Sequence, residues 1–256
     1  MHLIIFLLGA GIGCSLNLAI DRLLASMTLV SVNSYEETSE RGIKPWEMLP
    51  VLSYIFRQGR FRQNNAGIPL RAFLVEVVTA IAFVFTYVKY GFTPQWGIIV
   101  FYFALFLIIA VIDVEHGLIL NKLVYPACLV TSVLASFYPL GLAAGRTLPD
   151  SFAYSLLGGV VAFVIFLIPA LVWVGRMGWG DVKFAGLVGI ITGFPGGLVA
   201  LSLAMLGGGG LAAIYYFFRP KESHDSIPFG PFLSAGGLIA LIWGQTITDW
   251  YLGFLA

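Results

Sequence analysis

Charged side chains are scarce in this 256-residue sequence: only 11% of the residues are Asp, Glu, Lys or Arg, and 59% are hydrophobic. Soluble domains carry about 25% charged residues, so the composition excludes an ordinary soluble protein and indicates a membrane protein surrounded by lipid. The 14 basic and 13 acidic residues leave a formal net charge of +1. Because no overall positive field would attract nucleic acid, we expect no nucleic-acid partner.

Cysteine and histidine, the common metal ligands, are also rare. Cys14 and Cys128 both lie in apolar runs and provide neither a disulfide framework nor a zinc site. Asp113, Glu115 and His116 fall within four positions, but no second group of ligands accompanies them, which makes this a weak metal pattern. The sequence therefore predicts no metal site.

The hydrophobic residues form long runs that the few charges separate. A helix needs about 20 apolar residues to cross a membrane, and it satisfies its own backbone hydrogen bonds there. The sequence thus predicts an all-α, polytopic integral membrane protein with about eight transmembrane helices. The predicted spans are residues 1–22, 72–90, 95–112, 123–141, 151–174, 182–194, 196–218 and 231–252. The sixth is short and rich in glycine, so we expect a tilted half-length helix or a re-entrant segment.

The positions of Lys and Arg predict the orientation, because short loops rich in these residues stay in the cytoplasm. If the N-terminus lies outside, only Lys89 and Arg146 are external. The other twelve basic residues are then internal: Arg22, Arg41, Lys44, Arg57, Arg60, Arg62, Arg71, Lys122, Arg176, Lys183, Arg219 and Lys221. This orientation predicts a first transmembrane helix within residues 1–30, a cytoplasmic loop domain at 31–71 and a membrane core at 72–256.

Two aspartates lie at the ends of predicted spans, and ionisable residues at membrane depth are candidates for function. Asp113 ends the third span and Asp181 begins the sixth, so both are expected near the cytoplasmic surface. Two carboxyl groups at one depth can share a proton, because their repulsion in a low dielectric raises one pKa. The ionised carboxylate can then accept a proton from an attacking water while the protonated one donates to the developing oxyanion.

Two other interpretations of these aspartates stay open at this point. Each could cap a helix or pair with a nearby basic side chain. Alternatively, the two could relay protons in a proton-coupled membrane transporter.

Five segments in a fixed order carry short motifs. The two that hold the aspartates are Ile112-Asp113-Val114-Glu115-His116 and Gly178-Trp179-Gly180-Asp181-Val182-Lys183. The others lie in residues 9–22, in residues 49–76 and at Ile227-Pro228-Phe229-Gly230-Pro231-Phe232. Together they resemble the type IV prepilin peptidases, which are intramembrane aspartic proteases with a Gly-x-Gly-Asp motif, and the resemblance covers nearly the whole chain.

The resemblance implies a membrane-embedded aspartic endopeptidase of the inner membrane. It would cleave the leader peptide from prepilin or pseudopilin substrates at the cytoplasmic face, with Asp113 and Asp181 as the catalytic pair. Gly178 and Gly180 would support the motif and let the substrate backbone approach, and Lys183 would position Asp181. Cleavage would need no cofactor. Many members then N-methylate the new N-terminus with S-adenosylmethionine, a second activity that the resemblance leaves open here.

The chain departs from the family pattern at two places. Phe61 and Asn64 stand where many bacterial members have the second of two Cys-x-x-Cys pairs, so the zinc site of those members is not expected. Leu120 stands where relatives often have a proline after the first aspartate, and the local backbone is expected to differ there.

Overall fold

The computed structural model describes residues 1–25, 70–137, 148–172, 178–218 and 228–255. In these ranges the chain forms eight helices and no strand. They are α1 (His2–Ala25), α2 (Leu70–Tyr90), α3 (Pro94–His116), α4 (Asn121–Phe137), α5 (Leu148–Val172), α6 (Trp179–Thr192), α7 (Gly196–Phe218) and α8 (Gly230–Leu255).

Six of these helices are long and apolar enough to cross a membrane, and α4 and α6 are shorter, with 17 and 14 residues. Each of the eight overlaps one predicted span. The prediction of an all-α, polytopic membrane protein is therefore confirmed. The predicted loop domain at 31–71 lies, except for its last two residues, outside the described ranges, and so do Phe61 and Asn64.

The chain divides into two compact units, Met1–Ile108 and Ile109–Ala256. In the first unit, glycines of α1 bring its backbone against α2. A Cβ atom added to Gly9 would lie 2.7 Å from the Cα of Ala80, and one added to Gly13 would lie 2.7 Å from the Cα of Glu76. Small residues allow this approach, and close packing is what holds helices together in lipid.

Polar contacts reinforce the α1–α2 pair. The side-chain amide of Asn17 donates to the backbone carbonyl of Ala72 at 3.1 Å. Arg71 pairs with Asp21 across the two helices, with 2.5 Å between Nη2 and Oδ1. Because an apolar solvent offers polar groups no competing water, such bonds fix the register of one helix against the other.

The second unit is built around the short helix α6, which packs against α4, α5, α7 and α8. Every residue from Phe184 to Gly189 is buried. A helix that is apolar on all sides is expected in such a central position. At 1.5 Å per residue, α6 is about 21 Å long, which is shorter than the hydrocarbon core of roughly 30 Å.

Glycines place α6 in backbone contact with α5. A Cβ atom added to Gly158 would lie 2.5 Å from the carbonyl oxygen of Gly189. At the end of α6, the N–H of Phe194 donates to the carbonyl of Tyr154 at 2.9 Å. Residues later in α6 thus contact residues earlier in α5, so the two helices are antiparallel.

We predict that Gly189→Ala destabilises the protein by about 1–3 kcal/mol, the usual cost of forcing extra atoms into a packed core. The new methyl group would meet the backbone oxygen of Gly158, which cannot rotate away. Thermal unfolding of the purified protein in detergent, followed by tryptophan fluorescence, measures the effect. Gly209→Ala in α7 is the matched control, because a Cβ atom there has no neighbour within 4 Å. Equal melting temperatures for the two variants would contradict the packing argument.

Candidate active site

Asp113 lies in the last turn of α3 and is only 4% exposed. Its Oδ2 accepts a hydrogen bond of 2.7 Å from the backbone N–H of Gly230, the first residue of α8. The side chain therefore caps a helix that begins 117 positions later in the chain. A carboxylate is favoured at this place, because the N-terminus of a helix carries a partial positive charge.

The sequence around Gly230 explains why its N–H is available. The carbonyl of Phe229 accepts bonds of 3.1 Å from the N–H groups of both Phe232 and Leu233, and Pro231 has no N–H to satisfy. The first N–H of α8 is then the group that needs an external acceptor, as the first turn of any helix does. Asp113 is that acceptor.

Gly230 is also the residue that the sequence analysis missed as part of the site. A Cβ atom at this position would lie 2.6 Å from Oδ2 of Asp113 and 2.9 Å from its Cγ, so a larger residue would displace the carboxyl group. The available signal was the Gly-Pro pair at a helix start, where proline is favoured. It indicates where a helix begins but not which side chain the helix will meet.

Asp181 lies in the first turn of α6, which is shorter than the six membrane-length helices, and its side chain is partly exposed. Its own N–H donates to the carbonyl of Gly178 at 3.1 Å, which closes the turn at the N-cap. A Cβ atom on Gly178 would lie 3.0 Å from Oδ2 of Asp181, and one on Gly180 would lie 2.8 Å from Cβ of Ile119. Both glycines of the motif thus stand where a side chain would crowd a neighbour.

The two carboxyl groups lie close enough to interact. Burial and repulsion by the Asp113 carboxyl raise the pKa of Asp181 to about 6, against the opposing effect of a backbone hydrogen bond from Gly178. In the described part of the chain neither aspartate forms an ion pair with Lys or Arg. The pair can therefore hold one proton between two carboxyl groups near neutral pH.

Lys183, the last residue of the motif, is directed toward α4. Its Nζ donates to Oδ1 of Asn121 at 3.0 Å and lies 5.4 Å from the ring centre of Tyr125. These contacts join the beginning of α6 to the beginning of α4. That Lys183 positions Asp181 stays a prediction, and any such effect would act through this attachment of the helix.

No metal centre is apparent around the aspartates: among the residues that the structure describes, no three His, Cys, Asp or Glu side chains are grouped to hold an ion. His116 follows Asp113 by one helical turn and Glu115 is exposed. The two carboxyl groups are thus the chemical groups that the described part of this site offers.

Matches to known proteins extend over most of the chain. The model of the bacterial peptidase A24 N-terminal domain matches residues 7–90, and that of the type IV leader peptidase family matches residues 100–213. A prepilin leader peptidase/N-methyltransferase of Pseudomonas aeruginosa is 34% identical over 232 residues, which are 90% of this chain and 78% of that protein. This chain belongs to the type IV leader peptidase family.

Other members of the family match to a similar extent. A prepilin leader peptidase/N-methyltransferase of Bacillus subtilis is 26% identical over 251 residues, 97% of each chain. A prepilin leader peptidase/N-methyltransferase of Stutzerimonas stutzeri is 30% identical over 214 residues, which are 83% of this chain and 72% of that protein. No solved structure matches this family member significantly. The family resemblance expected from the motifs is confirmed.

The raised pKa of Asp181 predicts a pH-dependent stability for this family member. The Asp181 carboxyl group has a pKa of about 6 in the folded chain, whereas its usual pKa is 3.8. It therefore binds its proton more tightly in the folded state, and the free energy of unfolding falls as the pH rises from 3.8 to about 6. The asparagine side chain in Asp181→Asn is neutral at every pH, so this variant does not lose stability as the pH rises. We expect its melting temperature to exceed that of the wild type at pH 8, with the difference shrinking toward pH 4.

The control for this measurement is Asp249→Asn, which makes the same chemical change at an exposed position on α8. Its melting temperature should follow that of the wild type at every pH. A difference between Asp181→Asn and the wild type that is the same at pH 4 and pH 8 would show that the Asp181 carboxyl is not held in its neutral form.

Proposed function

We propose that this protein is an aspartic endopeptidase that removes the leader peptide of prepilin-like proteins at the cytoplasmic face of the inner membrane. The observation that carries the proposal is the interaction between Asp113 and Asp181, two carboxyl groups at helix ends with no basic partner in the described residues. The substrate class is taken from the names of its relatives, which are prepilin leader peptidases.

The chemistry needs one ionised and one protonated carboxyl group. The carboxylate accepts a proton from water as the water oxygen bonds to the carbonyl carbon, and the other group gives its proton to the carbonyl oxygen. The tetrahedral diol then returns a proton to the second group, while the first protonates the leaving nitrogen and the C–N bond breaks. Both carboxyl groups end in their starting states, so the reaction needs no cofactor.

The orientation proposed from the basic residues places the site where a leader would be presented. Asp113 is at the end of α3, whereas Asp181 and Gly230 are at the beginnings of α6 and α8. These three helix ends lie on one side if every helix crosses in turn, and with the N-terminus outside that side is the cytoplasm. A substrate anchored by an apolar helix would then expose its leader junction at the level of the aspartates.

The transporter alternative is less well supported. A proton pathway across the bilayer needs a series of ionisable groups at different depths. Among the described residues, the buried charged side chains are Glu76 in the first unit and Asp113 in the second, and Asp113 lies at a helix end beside Asp181. This arrangement suits local proton exchange with a bound peptide.

We expect purified wild-type protein in detergent to cleave a prepilin-like peptide that has a basic leader and a Gly-Phe junction. Asp113→Asn and Asp181→Asn should each lower the cleavage rate by roughly 10³-fold or more, because each removes a group that must transfer a proton. Mass spectrometry of the products gives the rates. Asp249→Asn should cleave at the wild-type rate.

Two outcomes would overturn the proposal: no cleavage by the wild type on several such substrates, or near-normal cleavage by either active-site variant. Adding S-adenosylmethionine to the same reaction tests the methylation that the relatives' names suggest. A product heavier by one methyl group would assign that activity to this chain. We assign no residue to it, since residues 31–69, where the resemblance would locate it, lie outside the described ranges.

A further inference from the structure

The two carboxyl groups have different surroundings, although they belong to one pair. Asp113 is enclosed and receives a short hydrogen bond from another helix, at 2.7 Å. Asp181 is partly exposed, and its backbone bond comes from Gly178 in its own turn. A hydrogen bond from a backbone N–H stabilises the ionised form of a carboxyl group. The bond from Gly230 therefore favours the ionised form of Asp113 at an enclosed position.

We propose that Gly230 is a positioning residue that divides the roles of the pair: its backbone N–H holds Asp113 as the carboxylate that activates water, and Asp181 carries the proton. This inference rests on the proposed peptidase function and names the direction of proton transfer within it. Position 230 must lack a side chain for this hydrogen bond to form, because a Cβ atom would occupy the place of the Asp113 carboxyl group.

Gly230 is itself held in place by the residue before it. The ring of Phe229 lies 5.8 Å from that of Phe166 on α5. On α7, a Cβ atom added to Gly208 would lie 2.6 Å from the Phe229 ring, so the ring fits against bare backbone. Phe229 is thus wedged between two helices. This packing of the Phe229 ring fixes the start of α8. It thereby also fixes the Gly230 N–H that donates to Asp113.

Few charged groups face the pair in the described residues. Asp181 interacts with Asp113 from α6, and from α8 the backbone N–H of Gly230 donates to Asp113. Lys183 is turned to Asn121, and Glu115 and His116 follow Asp113 on its own helix. With no cation paired to either aspartate in the described residues, the backbone hydrogen bonds are the contacts that favour an ionised carboxyl group here.

The test is the pH dependence of peptide cleavage in Gly230→Ala. The rate rises with pH on the acid limb of the profile, where the base ionises, and falls on the basic limb, where the acid loses its proton. If Asp113 is the base, weakening its hydrogen bond moves the acid limb to higher pH by about one unit. The rate becomes slower, and the basic limb stays in place. If the roles are reversed, the basic limb moves instead, and the proposal is wrong. Gly178→Ala, which crowds Asp181, should move the basic limb. Gly253→Ala, in open space on α8, should leave both limbs unchanged.

A second pair of variants keeps the test decisive if Gly230→Ala is inactive. Gly208→Ala would push the Phe229 ring and thereby move Gly230, so it should lower the rate at least about tenfold and shift the acid limb in the same direction. Its neighbour Gly209 has open space, and Gly209→Ala should match the wild type. Equal effects of the two changes, or a shift of the basic limb, would overturn the role of Gly230.

Failure of this inference can be told from failure of the proposed function. If the wild type does not cleave, the peptidase proposal itself falls. If the wild type cleaves and both aspartates are required, but the limbs move in the reversed sense, the function stands and only the division of roles is wrong.

Discussion

Two carboxyl groups interact in the second unit without a Lys or Arg paired to either of them in the described residues, and much of this unit can be understood from this constraint. An uncompensated charge in a low dielectric is costly. A lysine or arginine would stabilise both aspartates as carboxylates and remove the shared proton that the proposed mechanism needs. The structure uses backbone N–H groups at the starts of α6 and α8 instead. These carry only partial charges, so one carboxyl group can ionise while the other stays neutral.

Backbone donors can serve a side chain only if the helices that carry them are held firmly, and lipid gives little hydrophobic force between helices. Direct contact between backbones supplies the attachment. Gly158 and Gly189 join α5 to α6, and a Cβ atom added to Gly236 of α8 would lie 2.4 Å from the carbonyl oxygen of Ala200 on α7. The glycines near the candidate site therefore fix distances between helices, and the relative positions of the two aspartates depend on these distances.

Much of this architecture could be predicted from the sequence, because hydropathy is a local property. The run lengths located the eight helices of the described ranges, and the short sixth run corresponds to the 14-residue α6. Asp113 and Asp181 stand out as candidates in the sequence because charges are rare at membrane depth. Gly230 could not be found in this way, since its role depends on a contact across 117 positions. A glycine has no side chain whose chemistry could indicate a partner.

The four consecutive glycines of α7 also show that the sequence cannot indicate which partner a glycine will contact. A run of glycines inside a membrane span favours close packing or a hinge, and the sequence alone does not distinguish one glycine of the run from another. In the structure Gly207 and Gly208 face the rings of Phe232 and Phe229, whereas Gly209 and Gly210 have open space. Only the helical phase relative to α8 distinguishes these residues, and that phase is set by tertiary packing. The division of the run into two contacting and two open glycines is therefore a property of the fold.

The unequal exposure of the two aspartates fits the roles proposed for them. Trp179, at the start of α6, is 57% exposed and Asp181 is partly exposed, while Asp113 is enclosed beside Gly230. A peptide that reaches the pair from the open side therefore meets Asp181 first. In the proposed mechanism the protonated group would then face the carbonyl oxygen of the substrate, and the carboxylate would lie behind it, at a position shielded from bulk solvent. The proposed division of roles thus assigns proton donation to the more exposed carboxyl group and water activation to the enclosed one.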